Sequence, residues 1–413
     1  MRTPEQNPYF AARFTFMTQP VTLSILSKIR RPMATPDRLI TPRFASLWLY
    51  SFVTFFSAFQ LLPAIPFRII DLGGSTAAAG WFLSVYTLAS AFSAPLMGTL
   101  GDRVGRRRLL LVASIAFCVF SVAYGVITNI VVLLGVGVIH GALWSGLLSS
   151  SSAIMTDYIP ESRRAQGLAY WGLASILAVS MAPAFGLWVF HFGWLTLCLE
   201  MASLSVVMTV GALFIHDPTK PHERHQGALA EAWDWRVIRI TLTMTVASFG
   251  YGGVTSYAAL LAVQRHVEPK SIYLTVYAIT IVILRLFFSH LFDRIPTKVL
   301  LYPALAMVPI AFAMLGFATT RTLMTISAIV FGLGWGAAYP AIATFIVNNT
   351  DPARRARTFG SIMWAFDTGI ATGSFTLGAI GQRYGLGRAF LAAAALSCFS
   401  IPIFAWTSRL LRR

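Results

Sequence analysis

Charged residues are scarce in this 413-residue chain, at 11% of the sequence, and acidic residues are the rarer sign, with 15 Asp and Glu against 32 Lys and Arg. A soluble domain carries roughly 25% charged residues, so the composition excludes an ordinary soluble domain. A soluble protein with a very large core is a poor alternative, because many apolar runs approach the ~20 residues that a membrane-spanning helix needs. The 56% hydrophobic content therefore predicts a membrane protein with many spans.

Cysteine is also rare. The three cysteines, Cys118, Cys198 and Cys398, lie inside apolar runs without metal-ligand spacing, and we interpret them as packing residues. The sequence contains no HExxH motif, no P-loop and no nucleophile elbow, which would mark a zinc hydrolase, an ATPase or a serine hydrolase. We therefore expect no enzymatic activity, no cofactor and no bound metal.

The net charge of +17 raises the question of a nucleic-acid partner. Its placement argues against one, because the basic residues concentrate in short loops and tails. Such residues mark the cytoplasmic side of a membrane protein. We expect lipid contact without nucleic acid, and a multi-pass protein of a bacterial-type inner membrane with both termini cytoplasmic. The exceptions on the opposite side are Arg265, Lys270, Arg321, Arg383 and Arg388.

Twelve apolar segments can be drawn along the chain. They run approximately over 44–70, 77–98, 108–128, 131–156, 166–191, 194–215, 238–263, 271–291, 299–318, 322–347, 358–381 and 387–408. The only long polar interruption has the composition of a linker. We expect a cytoplasmic basic tail (1–42), a six-helix bundle (43–215), a cytoplasmic linker (216–236), a second six-helix bundle (237–408) and a short tail (409–413). Translation from Met33 instead of Met1 is left open.

A basic turn motif occurs twice. GTLGDRVGRRRLLL begins at Gly98, and the related SHLFDRIPTKVLLY begins 191 residues later, at Ser289. A second pair, the Arg-Arg-Ala triplets starting at Arg163 and Arg354, has the same offset. One offset for two motifs predicts a tandem duplication, whose halves should superpose with Asp102 over Asp293. A duplicated, apolar, many-spanned chain indicates a secondary transporter.

The motif after the second segment resembles the signature of the major facilitator superfamily. Its matching residues are Gly98, Leu100, Asp102, Arg103, Gly105 and Arg106. The resemblance covers about residues 44 to 408 and implies an all-α fold of twelve transmembrane helices in two bundles related by a pseudo-two-fold axis. Three further stretches resemble twelve-helix efflux members: Leu61–Trp81, Val138–Gly146 and Phe366–Ser374. The arginine that proton-coupled members carry in helix 4 is replaced here by Gly137.

The resemblance also implies a conformational latch that holds the two halves together on the cytoplasmic side. Its expected members are Gly98, Asp102, Arg103, Gly105, Arg106, Asp293 and Arg294. The alternative is that the arginines only set topology and contact lipid phosphates. We favour the latch for Asp102, Arg103 and Arg106, and the topological role for Arg107 and Arg108.

In this fold helices 1, 4, 7 and 10 line the substrate cavity, so the resemblance implies a set of cavity residues. The candidates are Gln60, His140, Trp144, Tyr251, Tyr257, Trp335 and Tyr339. Aromatic rings with scattered hydrogen-bonding groups suit a mid-sized organic ligand. Each aromatic residue taken alone is better explained by packing or by an interface than by ligand contact, and the set is a stronger indication than any member.

Ionisable residues inside membrane helices are costly and so mark candidate functional sites. The four are His140, Glu200, Arg285 and Asp367, and each is a candidate for proton coupling. Asp367 is either a protonatable carboxylate or a static partner of Arg285, and we predict that these two share one polar network. Glu200 also fits a structural role, and His140 also fits a neutral, hydrogen-bonded histidine.

These patterns together predict a monomeric secondary transporter that works by alternating access. The favoured function is export of a small organic compound, such as a drug-like molecule, a sugar or a metallophore, by proton antiport. One alternative is uptake by proton symport. Another is a transporter-like sensor or assembly factor that moves nothing.

Overall fold

The computed structural model describes residues 39–160, 163–217, 235–348 and 355–410. Within these ranges the side chains of 164–165, 169, 235–240, 288–294, 347–348, 355–360 and 410 are outside the description. The expected N-terminal tail up to residue 38, most of the linker (218–234) and the end of the C-terminal tail (411–413) therefore lie outside the described residues, as do the side chains of Asp293 and Arg294.

The described residues form helices joined by short turns, without a strand. The helices are α1 (Pro42–Asp71), α2 (Thr76–Val104), α3 (Arg106–Val126), α4 (Ile130–Tyr158), α5 (Arg164–Phe190), α6 (Trp194–Phe214), α7 (Trp235–Gln264), α8 (Ile272–Arg294), α9 (Thr297–Phe317), α10 (Arg321–Asn348), α11 (Arg355–Tyr384), α12 (Leu386–Cys398) and α13 (Ser400–Leu410).

Local sequence explains where several helices begin and end. The Thr41 hydroxyl accepts a hydrogen bond from the Phe44 amide at 3.2 Å, and Pro42 follows at the first helical position, both of which favour a helix start. Ser75 caps α2 in the same way, through the Ala78 amide at 3.1 Å. Gly105 separates α2 from α3 at φ 110°, a conformation that favours glycine.

The helices match the twelve expected segments. Within the described residues, ten segments are long and apolar enough to cross a membrane. One of these, Leu386–Arg409, comprises both α12 and α13, which are separated at Phe399 because Pro402 cannot continue the helical hydrogen bonding. Helix α8 carries a shorter apolar stretch, Ile272–Phe287. Helix α11 is more polar and packs against α2, α7 and α12.

The helix boundaries repeat with the offset found in the sequence. Helices α3, α4 and α5 begin at residues 106, 130 and 164, and α9, α10 and α11 begin 191 residues later, at 297, 321 and 355. We call α1–α6 the N-terminal half and α7–α13 the C-terminal half. The halves meet where α2 packs against α11 and α5 against α8.

The two ends of the helix bundle differ in charge. We call the end with the α2–α3 turn at Gly105 the basic face, because Arg103, Arg106, Arg107 and Arg108 surround that turn. The opposite end carries the α1–α2 turn and the α11–α12 turn, and we call it the far face. Contacts between the halves therefore have to be located relative to these two faces.

Candidate functional site

A row of polar contacts joins α2 to α11, and we call it the seam. From the far face inward, its contacts are Ala77 N to Gln382 Oε1 (3.3 Å), Ser374 Oγ to Gly80 O (2.9 Å), Ser84 Oγ to Ala371 O (2.8 Å) and Ser90 Oγ to Asp367 Oδ2 (3.0 Å). The last contact lies near the middle of both helices. The seam thus closes the halves from the far face to mid-membrane.

Close packing at Gly80 holds the far part of the seam. A Cβ atom added there would overlap the Tyr257 hydroxyl and lie 2.6 Å from the Ser374 carbonyl. Tyr257 itself donates to the same carbonyl at 3.0 Å and is 1% exposed. Tyr257 was expected on the cavity wall, but it lies in the interface between the halves, because Gly80 leaves room for its phenol.

Lys270 forms a second contact between the halves, at the far face. This lysine lies in the α7–α8 loop, and its ammonium lies over the rings of Phe190 and Phe67 in the other half, at 4.5 and 5.1 Å. Partial burial lowers the pKa of Lys270, and the carboxylates of Glu268 and Asp71 oppose that shift. The cation–π contact helps to close the far face.

Replacing Lys270 by Met should favour opening of the far face by about two- to fivefold, because an exposed cation–π contact contributes about 0.5–1 kcal/mol. The measurement is the distance distribution between spin labels at Val131 and Thr320, with the three cysteines replaced. Arg383 is the matched control, because its guanidinium lies over the adjacent Tyr384 in its own half. An unchanged distribution for Lys270→Met would show that this contact does not control closure.

The interface between Asp367 and the basic face is described only in part, because the side chains of 288–294, 347–348 and 355–360 lie outside the description. A Cβ atom added at Gly98 on α2 would meet no described atom within 4 Å. The seam ends at Ser90 and Asp367, about two turns of α2 before Gly98. We call the part of the interface between Asp367 and the basic face the cleft.

Ion pairs cluster around the α2–α3 turn. Arg106 contacts Asp102 at 3.1 Å and Asp157 of α4 at 2.9 Å, and its backbone amide donates to Asp217 at 3.2 Å. Asp102, Arg106 and Asp157 belong to the N-terminal half, and Asp217 follows its last helix, α6. Sequence reasoning missed Asp157 and Asp217, which lie far from the motif in the chain. The interaction of this cluster with the C-terminal half stays a prediction.

The two neighbouring arginines behave differently from Arg106. Arg107 donates to the Leu213 carbonyl at 2.6 Å and to the Ala212 carbonyl at 3.4 Å, so it neutralises the C-terminal end of α6. Arg103 and Arg108 are exposed. We expected Arg107 only to set topology, but it also makes these structural contacts with α6.

A stack of aromatic rings lines the C-terminal half beside the cleft. Tyr251 stacks on Trp335 with ring centroids 5.3 Å apart, and Trp335 stacks on Phe366 at 6.2 Å. Tyr339 contacts Phe366 edge-on at 5.2 Å. Tyr251 and Trp335 are 6% and 4% exposed, whereas Tyr339 and Phe366 are half-buried, so the last two offer more surface to a ligand.

Asp367 and Arg285 have separate partners. Ser90 donates to Asp367 across the seam, while Arg285 donates from Nη2 to the Gly336 carbonyl at 3.1 Å. The structure records no ion pair between them. Tyr339 lies within electrostatic range of both. A direct network, which the sequence predicted, is not present in this conformation, because the two side chains project from helices that α10 separates.

Two expected cavity residues of the N-terminal half are buried away from the cleft. His140 is 1% exposed, its Nδ1 lies 3.1 Å from the Tyr124 hydroxyl, and the Phe117 ring centroid is 4.1 Å from its own. Gln60 is fully buried and donates to Glu200 at 3.3 Å. Neither residue lines the cleft, because helical position alone does not show which face is covered by a neighbouring helix.

Trp144 of α4 packs inside the N-terminal half. It is 6% exposed and makes edge contacts with Phe55 and Phe59 at 4.9 and 6.0 Å. The expectation that it contacts substrate stays a prediction. Within the described residues no cluster of potential metal ligands occurs.

Comparison with known proteins agrees with this architecture. Residues 47–374 match the model of the Major Facilitator Superfamily. The multidrug resistance protein MdtG of Salmonella dublin is 24% identical over 385 residues, which cover 89% of this chain and 95% of that protein. The multidrug export protein EmrB of Haemophilus influenzae is 31% identical over 148 residues, or 35% of this chain, and the match spans only 29% of that protein.

Solved structures with the same fold are more distant in sequence. The nucleoside transporter NupG superposes with a TM-score of 0.71 at 15% identity, over 89% of this chain and 99% of that one. A bacterial homologue of the lysosomal transporter Spinster, in an inward-facing and unoccupied conformation, gives 0.71 at 15% identity over 89% and 96%. The matched model covers most of the chain, and its two bundles are those of this fold, so the protein belongs to the Major Facilitator Superfamily.

Proposed function

We propose that this protein is a secondary active transporter that exports a small organic compound across the bacterial inner membrane by proton antiport. The observation that carries the proposal is the seam, which together with Lys270 joins the halves from the far face to Asp367 at mid-membrane. We infer that the cleft between Asp367 and the basic face is open. Alternating access exposes a site near the bilayer midplane to one side of the membrane at a time.

The positive-inside rule makes the basic face cytoplasmic. The described basic residues there are Arg103, Arg106, Arg107, Arg108, Arg163, Lys298 and Arg409. With this orientation both termini and the linker are cytoplasmic, and the conformation is inward-facing. The Spinster homologue with the same fold is described as inward-facing, which supports the interpretation.

Asp367 is the proposed coupling carboxylate. The polar groups around it come from three helices: Tyr86 and Ser90 on α2, Tyr339 on α10 and, beyond Tyr339, Arg285 on α8. In the inward-facing conformation the cleft gives Asp367 access to the cytoplasm, where it releases its proton and accepts a cationic group of the substrate. After the halves exchange faces it accepts a proton from outside. Competition between proton and substrate for one carboxylate gives antiport.

Export is supported by the names of the relatives MdtG, a multidrug resistance protein, and EmrB, a multidrug export protein. Uptake by symport is the second candidate, because the same fold serves the nucleoside transporter NupG. The two differ in the direction of proton movement relative to the substrate: as substrate enters an inside-out vesicle, an antiporter moves protons out and a symporter moves them in. The test uses inside-out vesicles with an acidified interior and a fluorescent pH probe, to which a panel of aromatic amines, acids and amphoteric compounds is added. An antiporter releases protons when its substrate is added, whereas release by none of the compounds would contradict the proposal.

The latch around Arg106 is a proposal that this assay tests. Asp102→Asn and Arg103→Ala should each lower compound-dependent proton release several-fold while membrane insertion stays normal, because they alter the balance between conformations. Arg108→Ala is the control, because we expect Arg108 only to set topology. Normal activity of both variants would remove the latch.

A further inference from the structure

Arg285 is a charged group with unused hydrogen-bonding capacity inside the membrane. It lies 13 residues after the start of α8 at Ile272, about 20 Å from the far face at ~1.5 Å per residue. Its Nη2 donates to the Gly336 carbonyl, and its buried Nε has no partner. A guanidinium has five N–H donors, so most of them remain for a ligand.

Asp367 carries the opposite charge. We call the surface formed by Arg285, Trp335, Tyr339, Phe366 and Asp367 the wall. It accepts one hydrogen bond, from Ser90, and among the described residues it forms no ion pair. A carboxylate accepts several hydrogen bonds. It can therefore bind a ligand's ammonium group without losing Ser90.

Aromatic rings fill the space between the two charges. Arg285 is anchored at Gly336, next to Trp335, and Asp367 follows Phe366 in the chain. Trp335 and Phe366 stack on each other, and Tyr339 contacts both. The order along the wall is thus cation, aromatic rings, anion.

Arg285 and Asp367 do not form an ion pair with each other. Together they complement a ligand that carries both an anionic and a cationic group. A ligand with a single charge would be attracted to the opposite charge at one end of the wall and repelled by the like charge at the other end. A flat ring between the ligand's charges would stack on Tyr339 and Phe366.

We propose that this wall binds amphoteric aromatic compounds, with the ligand's acid group at Arg285, its amine at Asp367 and its ring against Tyr339 and Phe366. This inference rests on the proposed transport function and names the substrate class. It also assigns different tasks to the two charges, because only the amine competes with the proton.

The test measures binding of four fluorescent probes to the purified full chain in lipid nanodiscs. The probes share a fluorescent naphthalene ring: 6-(aminomethyl)-2-naphthoic acid carries both charges with the ring between them, 2-(aminomethyl)naphthalene only the amine, 2-naphthoic acid only the acid, and 2-naphthamide neither. The proteins are the unaltered chain, Arg285→Gln, Arg285→Lys, Asp367→Asn and the control Arg388→Gln. Arg388 is an exposed arginine at the far face.

We expect the unaltered chain to bind 6-(aminomethyl)-2-naphthoic acid at least tenfold more tightly than each of the other probes. Arg285→Gln should lower the affinity about tenfold for this probe and for the acid-only probe, with no change for the amine-only probe, and Arg285→Lys should restore part of the loss. Asp367→Asn should lose affinity for the two amine-bearing probes only. Arg388→Gln should bind all four as the unaltered chain does.

Two results would overturn the inference. One is binding of 6-(aminomethyl)-2-naphthoic acid to the unaltered chain no more tightly than 2-naphthamide, a result that needs no variant. The other is an equal loss for all four probes in Arg285→Gln, which would mean that Arg285 only braces α8 against α10. Charge-selective binding without proton release in vesicles would support the binding site and contradict the transport function, so the two proposals fail separately.

Discussion

Replacing Asp367 by Asn is expected to abolish transport driven by a pH gradient and to spare exchange of substrate across the membrane at substrate concentrations that saturate the weakened site. An amide keeps the size of the side chain and can still pair with Ser90, but it cannot bind and release a proton. Exchange needs only the alternation of the two conformations. The measurement compares pH-driven accumulation and substrate exchange in the same vesicles.

The matched control is Glu200→Gln. Glu200 is the other carboxylate inside the helix bundle, but it pairs with Gln60 on the side of α1 that faces α6, away from the seam. This variant should keep full pH-driven transport. If Asp367→Asn also keeps it, Asp367 is not the coupling carboxylate. Loss in Glu200→Gln alone would move the coupling site into the N-terminal half.

Replacing Gly80 by Val is expected to lower transport at least tenfold, because the closed far face has no room for a side chain there. Even a Cβ atom would overlap Tyr257 and approach the Ser374 carbonyl. The overlap destabilises the conformation with a closed far face, and each 1.4 kcal/mol of destabilisation shifts a conformational equilibrium about tenfold. Spin labels at Val131 and Thr320 should report a longer distance across the far face.

Gly135→Val is the control, because a Cβ at this α4 position meets no described atom within 4 Å. Gly98→Leu should shift the equilibrium the opposite way, since Gly98 has open space only while the cleft is open. Normal transport by Gly80→Val would show that the contacts of the seam do not close the far face. An unchanged distance between the spin labels at Val131 and Thr320 in that variant would lead to the same conclusion.

Much of the fold could be predicted from the sequence. Apolar runs with basic turns between them indicated twelve spans, and the repeated motif indicated two halves, because membrane insertion depends on local hydrophobicity and loop charge. The break between α12 and α13 at Phe399 was not predicted. A single proline near the end of an apolar run has little effect on hydropathy but removes one backbone donor.

The site was predicted less well, for a physical reason. Ionisable residues such as Asp367 and Arg285 are visible in an apolar sequence because burying charge is costly. Their partners are not visible, since Ser90 and Gly336 are ordinary helix residues. Gln60 and His140 were expected in the cavity because of their helices, yet their side chains face neighbouring helices of their own half.

The sequence by itself determined the membrane location, the helical spans, the duplication and the identity of the charged residues inside them. These properties follow from composition and from spacing along one chain. Only the tertiary structure decided that Tyr257 belongs to the interface, that Arg106 bridges Asp102 and Asp157, and that Asp367 ends the seam. Apart from Arg106 and Asp102, which are four residues apart, these contacts join residues 51 to 277 positions apart. Their geometry depends on how helices pack against each other, which no local pattern encodes.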